Sequence, residues 1–294
     1  MRNGEPWRDD AGTLIQAHGG WILPVSDDGS DDAAAQPTYF WYGEDYVRGG
    51  FSCYRSHDLA SWHDCGRVLP AGAAPVMERP RVLRCPATGR FVMWFHADDA
   101  TYGTAQAGVA VADAPEGPFE LVRVAQPCGQ QSRDLTLFAD ADGTGWLVHS
   151  SEANKTLHLV RLTPDYLDVE STYVRAFADQ EREAPCVFAA RDQLYLLTSG
   201  CSGWRPNAAL FGTAPSVEGP WKLVDNPCRG PREHTTFGAQ ATCVFEVGGR
   251  PLVLLDHWKP DDLALSGYSL LGVTFAPEKH DPMEISWSDA SVSL

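Results

Sequence analysis

The sequence predicts an all-β fold and, within that class, a five-bladed β-propeller formed by a single domain spanning residues 1–294. Three observations predict it. One strand pattern recurs five times at the size of a four-stranded blade. Aromatic and turn residues are abundant, with Trp 10, Tyr 9, Phe 12, Gly 27 and Pro 21, which favours short strands over long helices. Two distant segments, Ala114-Pro-Glu-Gly-Pro-Phe119 and Val217-Glu-Gly-Pro-Trp221, are near-copies that follow equivalent strands.

Each repeat opens with a polar residue ahead of an apolar strand. The openings are His18, Glu78, Asp134, Glu183 and Gln240, between 49 and 60 residues apart. Second strands follow at Tyr39–Tyr42, Phe91–Phe95, Gly145–Val148, Leu194–Leu197 and Leu252–Leu255, each ending in polar residues such as Glu44, His96 and His257. Third strands include Gly108–Ala112 and Ala209–Thr213. Wrapping such units around an axis buries their aromatic faces between neighbours and leaves only short sheet edges. Trp41 and Trp94 lie inside strands and read as core. Asp27–Gln36 is polar and Ala-rich and reads as an exposed loop within the first blade. Asp140, Asp142 and Gly143 carry part of a calcium-loop spacing without completing it, which favours a hairpin turn.

Charge narrows the function. Lys+Arg 23 against Asp+Glu 39 leaves a net charge of −16, which repels phosphate backbones and anionic lipid. Neither nucleic acid nor a membrane is an expected partner, and no apolar run reaches the length of a membrane span. The start, Met-Arg-Asn-Gly-Glu-Pro-Trp, shows no signal peptide, so a cytoplasmic protein is expected. Eight cysteines without a Cys-x-x-Cys pair read as reduced thiols rather than zinc ligands, with Cys186 and Cys243 as core filler. Nothing in the sequence marks an oligomeric state.

In a propeller the first strand of each blade lines the central channel. The five openings then converge near one mouth of that channel. Three carboxylates, an imidazole and an amide meeting there drive carboxyl pKa values apart, leaving one group protonated and another ionised. Acid-assisted glycoside hydrolysis needs such a pair. Trp204, on a Gly-flanked loop, suits stacking on a sugar face, and Tyr102 sits on a polar loop suited to hydroxyl contact. His257 and Trp258 close the second strand of blade five within reach of the channel. Asn154 and Asn207 are loop amides with weaker claims.

These residues form a familiar set. His18-Gly-Gly, Trp41-Tyr-Gly-Glu44, Ser56-His-Asp58-Leu-Ala-Ser-Trp62, Glu78-Arg-Pro, Ser132-Arg-Asp134, Arg182-Glu183-Ala-Pro and Ser199-Gly-Cys-Ser-Gly-Trp204 resemble glycoside hydrolase family 43, nearest to its branch of exo-β-1,3-galactanases and related galactan-acting enzymes. The resemblance runs through nearly the whole chain. It implies a five-bladed propeller and an inverting hydrolase releasing galactose from the non-reducing end of β-1,3-linked galactan or galacto-oligosaccharides. It implies Glu183 as general acid, Asp134 as the group that tunes and orients it, Glu78 and Glu44 as holders of sugar hydroxyls, and Tyr102 and Trp204 as pocket walls; His18 and His257 are expected as further substrate contacts from their places at the channel mouth. The aspartate that opens blade one in most of the family, as general base, is replaced here by His18-Gly19. In the galactanase branch a glutamine opening blade five has the water-handling role, and Gln240 holds that place. An amide has little basicity near neutral pH, so two options stand: Gln240 positions the water or relays its proton as an imidic tautomer, or Glu78 is the base. A β-xylosidase or α-L-arabinofuranosidase of the same family and a non-catalytic sugar-binding propeller are the alternative functions. The expected partner is a small carbohydrate. No cofactor is required and no metal ligand set is compelled, although a structural calcium or sodium ion in the channel is compatible with the wider family.

Overall fold

The computed structural model describes residues 1–26, 37–275 and 283–294. The expected loop at Asp27–Gln36 lies outside them. The rest forms five sheets, four of them antiparallel throughout. Blade one contains β1 (His18–Val25), β2 (Thr38–Glu44), β3 (Phe51–Ser56) and β4 (His63–Leu69); blade two contains β5 (Val76–Arg84), β6 (Phe91–Asp98), β7 (Gln106–Ala112) and β8 (Glu120–Ala125). Blade three contains β9 (Leu135–Ala139), β10 (Gly145–Ser151), β11 (Thr156–Leu162) and β12 (Val169–Ala176); blade four contains β13 (Arg182–Ala190), β14 (Gln193–Gly200), β15 (Leu210–Ala214) and β16 (Lys222–Asp225). Blade five adds a short β17 (Cys228–Arg229), parallel to β21 (Met283–Ser286), to β18 (Gln240–Val247), β19 (Arg250–His257) and β20 (Gly267–Phe275).

The inner strands close a ring. β1 packs on β5, β5 on β9, β9 on β13, β13 on β18, and β18 back on β1. This is the five-bladed propeller that the repeat predicts. The chain's beginning seals the last blade: Gly4 N donates to Tyr268 O at 2.8 Å, Tyr268 N to Glu5 O at 3.0 Å, and Leu270 N to Asn3 Oδ1 at 3.0 Å. The two near-identical turns both contain a cis Gly-Pro bond, at Gly117-Pro118 and Gly219-Pro220, and the hairpin at Asp140–Thr144 closes by Asp140 N to Thr144 O.

Aromatic second strands form the seams. Trp41 is fully buried, with ring centroids 5.9 Å from Trp7, 5.1 Å from Trp62 and 4.8 Å from Tyr268. It ties the N-terminal segment, blade one and blade five together. Trp41→Ala is expected to cost about 3–5 kcal/mol of stability, the range for deleting a large buried aromatic, measurable by urea unfolding. Trp94 is likewise buried, as are Cys186 and Cys243, and all eight cysteines are free thiols.

Candidate active site

A repeated backbone device builds the site. In blades one, two and four the inner strand bulges directly after its opening residue, between His18 and Trp21, Glu78 and Arg81, and Glu183 and Cys186. The residue after the opening is left-handed in each: Gly19 (φ 55), Arg79 (φ 52) and Ala184 (φ 51). A bulge bends the strand and re-aims its groups. Here it turns an N–H toward a carboxylate of the preceding blade in the ring. Gly19 N donates to Asp256 Oδ2 at 2.6 Å, Arg79 N to Glu44 Oε1 at 2.8 Å, and Ala184 N to Asp134 Oδ2 at 3.0 Å. For Arg79 and Ala184, which have side chains, such a backbone costs of order 1–3 kcal/mol and persists only where its surroundings enforce it. Gly19 is required for a second reason, since a Cβ there would lie 2.3 Å from Glu44 Oε1.

These devices gather Glu44, Glu78, Asp134, Glu183 and Gln240 around one pocket of about 230 Å³, walled by Tyr102, Trp204, Trp258 and Arg79. Arg79 is the hub. Its Nε lies 3.0 Å from Asp134 Oδ1, and its Nη2 donates to Gln240 Oε1 at 2.5 Å. Trp258 Nε1 donates to the same oxygen at 3.0 Å. On its other side, Gln240 Nε2 donates to Ser199 Oγ at 2.8 Å and to Glu183 Oε1 at 3.3 Å. Glu78 Oε1 accepts from Tyr102 Oη at 2.6 Å, and Glu78 Oε2 lies 3.0 Å from His96 Nδ1. Glu44 Oε2 accepts from the Tyr46 hydroxyl.

Four carboxylates around one guanidinium cannot all titrate normally. Burial, reinforced by the neighbouring Asp134 charge, pushes Glu183 up to about 7. Burial and then Glu78 push Glu44 up to about 8, against hydrogen bonds from Tyr46 and Arg79 that pull it down. Burial opposes the Arg79 charge, but Asp134, Glu44 and Glu183 hold its pKa above the ordinary arginine value. Folded Glu44 and Glu183 therefore bind protons more tightly than their unfolded counterparts. Their contribution to stability is complete below the unfolded carboxylate range and is lost as pH rises through about 7 and 8. Urea midpoints should fall across that window, and by less in Glu44→Gln.

Two expected contacts lie elsewhere. His18 is buried beneath the pocket, stacked 4.9 Å from Tyr268 with Nε2 3.1 Å from its hydroxyl, and it underlies Tyr46 and Trp258 at 5.4 and 6.0 Å. Glu44 fills the place at blade one, over the bare Gly19. His257 turns to the flank of blade five, with Nε2 2.7 Å from Ser269 Oγ, and burial lowers its pKa to about 4. Its neighbour Trp258 takes the pocket position instead and meets Trp204 edge-on at 4.9 Å. Asn207 braces the Trp204 loop, accepting from Gly200 N at 2.7 Å, and Asn154 lies outside the pocket lining.

Arg81, fully buried, donates to the carbonyls of Gly19 at 2.6 Å, Pro80 at 2.9 Å and Thr242 at 2.9 Å, so a fixed cation bridges the inner strands of blades one, two and five. Donor atoms of Glu78, His96 and Asp134 lie within 4.8 Å of one another, but both His96 nitrogens are engaged by carboxylates.

A propeller that gathers a near-neutral carboxylic acid, an ionisable partner and aromatic walls around a pocket of monosaccharide size has the build of a glycoside hydrolase. The chain belongs to glycosyl hydrolases family 43, whose family pattern matches residues 28–254. It is therefore a glycoside hydrolase, with a carbohydrate as substrate. It is similar to a family-43 β-1,3-galactosidase solved with galactodeoxynojirimycin, at 32% identity and a TM-score of 0.90 over 99% of this chain and 100% of that one. It is also similar to an exo-β-1,3-galactanase from Clostridium thermocellum, at 32% identity and a TM-score of 0.87 over 100% of this chain and 68% of that one. An exo-β-1,3-galactanase from Phanerochaete chrysosporium, solved with galactose, matches at 30% identity and a TM-score of 0.87 over 98% of this chain and 67% of that one. No sequence among the curated proteins matches.

Proposed function

We propose that this enzyme releases galactose from the non-reducing end of β-1,3-linked galacto-oligosaccharides, with inversion. The observation that carries the reading is the pocket: a site of about 230 Å³, smaller than the ~300–1,000 Å³ pockets of drug-sized ligands, walled by Tyr102, Trp204 and Trp258. That size suits one terminal sugar and not an internal stretch of chain. The galactose-directed names of its relatives supply the choice of sugar.

Glu183, protonated near neutrality, gives its proton to the glycosidic oxygen as the bond to the anomeric carbon breaks. Asp134, held by Arg79 and by the Ala184 N–H, raises that proton's pKa and stays beside the cationic transition state. Water adds to the anomeric carbon from the opposite face. Gln240 orients water through its amide hydrogens; the one directed at Glu183 is long, at 3.3 Å, and is open to exchange with an incoming group. Its oxygen has no such freedom, because Arg79 and Trp258 both donate to it and neither accepts a proton. An imidic relay through that oxygen has no exit. The water's proton passes instead to a carboxylate, and Glu78, two blades from Glu183, is that group.

The reading is tested with β-1,3-galactobiose and β-1,3-galactotriose beside aryl xylosides and arabinofuranosides. Stepwise release of galactose is expected. Release of xylose or arabinose without galactose would move the enzyme to another specificity within the family, and tight galactobiose binding without cleavage would make it a sugar-binding propeller.

A further inference from the structure

His96 stands on β6, one strand out from the channel, and its side chain is 2% exposed. It does not line the pocket. Its Nδ1 lies 3.0 Å from Glu78 Oε2 and its Nε2 2.9 Å from Asp98 Oδ2. Asp98 is itself buried. Its Oδ1 accepts from the backbone N–H groups of Asp99, Thr104 and Ala105 and from Thr104 Oγ1, each at 2.9 Å. A carboxylate surrounded by that many donors stays ionised, and these bonds lower its pKa against the effect of burial. The loop it gathers carries Tyr102, left-handed at φ 58, whose hydroxyl returns to Glu78 Oε1 at 2.6 Å. The path closes on itself: Glu78, His96, Asp98, the 99–105 loop, Tyr102, Glu78.

We propose that His96 and Asp98 are positioning residues, which lock Glu78 and Tyr102 into one arrangement as the blade-two wall of the sugar pocket. They act through those two residues and touch no substrate. The proposal rests on the reading of Glu78 and Tyr102 as sugar-facing groups. The imidazole is doubly protonated in this role, because both of its nitrogens face carboxylate oxygens and a bare nitrogen on either side would set lone pair against lone pair. The titratable groups facing it are Glu78 from β5, Asp98 on its own strand, Asp134 beside β9, and the Tyr102 ring at 5.9 Å. Burial opposes its charge, but these acids outweigh burial and raise its pKa. His96 then serves as a second internal cation, after Arg79, that lets the pocket's carboxylates coexist. As pH rises past its titration, Glu78 loses its anchor.

The test has two arms. In the intact protein, the ¹⁵N signals of His96 should show both nitrogens protonated at pH 6, with a titration midpoint that falls in Glu78→Gln and in Asp98→Asn. A midpoint at or below that of a free histidine, or one unmoved by both substitutions, overturns the proposal. This arm needs no sugar, so it decides the brace even where the parent enzyme releases no galactose and the functional reading fails alone. In the second arm, His96→Gln and Asp98→Asn should each lower kcat/KM for β-1,3-galactobiose about tenfold or more, with kcat sharing in the fall because the displaced Glu78 also receives the water's proton. Asp98→Asn keeps an oxygen for the loop's donors, which separates loss of the brace from loss of the fold. Adding Tyr102→Phe to His96→Gln should then cost little more. Unchanged kcat/KM in both variants, or a Tyr102→Phe loss that adds in full, overturns the proposal.

Discussion

Glu183→Gln is expected to lower kcat on β-1,3-galactobiose by roughly 10²–10⁴-fold, the usual loss on removing a positioned general acid. The amide keeps the shape of the side chain and its contact with Gln240 but holds no transferable proton. A sugar alkoxide is a poor leaving group and needs that proton. An aryl galactoside with an acidic phenol does not, so its hydrolysis should fall far less. The pH profile gives an independent reading. Glu183 works only when protonated, and its pKa of about 7 places the alkaline fall in activity near neutrality. That limb should vanish in Glu183→Gln. In Asp134→Asn it should move to lower pH, since the neighbouring negative charge is one of the causes holding Glu183 up. Equal turnover of the disaccharide by Glu183→Gln and the parent would remove Glu183 from the chemistry.

Arg79→Leu should damage stability and activity together. The guanidinium is buried with Asp134 at 3.0 Å and Gln240 at 2.5 Å, and its substitution leaves Asp134, Glu44 and Glu183 without their shared cation. Breaking a buried pair from one side costs about 3–5 kcal/mol. Protonation of the stranded carboxyls should recover part of it, so the deficit in urea should shrink at low pH. Arg79→Lys keeps the charge but not the fork that reaches an aspartate and an amide together. It should recover more stability than activity, because Gln240 loses one of the two donors that fix its amide oxygen. A variant with parental stability and turnover would show that the hub is incidental.

The blades were legible because the repeat is written in the pattern of apolar and turn residues, which depends little on context. Glu78, Asp134, Glu183 and Gln240 were legible for the same reason: each opens an inner strand, and the ring brings inner strands together. What followed each opening was not. A left-handed bulge at Gly19 follows from residue type, but the same conformation at Arg79 and Ala184 runs against it and exists because a carboxylate of the preceding blade accepts the N–H. With the bulge, simple alternation along β5 fails, so nothing local said that Arg79 would reach the pocket while Arg81 bridged the inner strands. An excess of carboxylates at one mouth did call for a buried cation, and an arginine directly after Glu78 was the signal for it. At the end of β19 the outcome turned on one residue: His257 faces outward to Ser269 and Trp258 faces inward, the reversal that a single step along a strand produces. His18 was displaced for a related reason, since the space over Gly19 belongs to Glu44 from the next strand.

All of this chemistry depends on one carboxyl group being half protonated at neutrality because it is buried beside a second one. A ¹³C NMR titration that follows the Glu183 side-chain carboxyl in the sugar-free enzyme reads this directly. A midpoint of about 7 that drops when Asp134 is changed to Asn is expected; a midpoint at the ordinary glutamate value, unmoved by that change, would contradict the assignment of Glu183 as the acid.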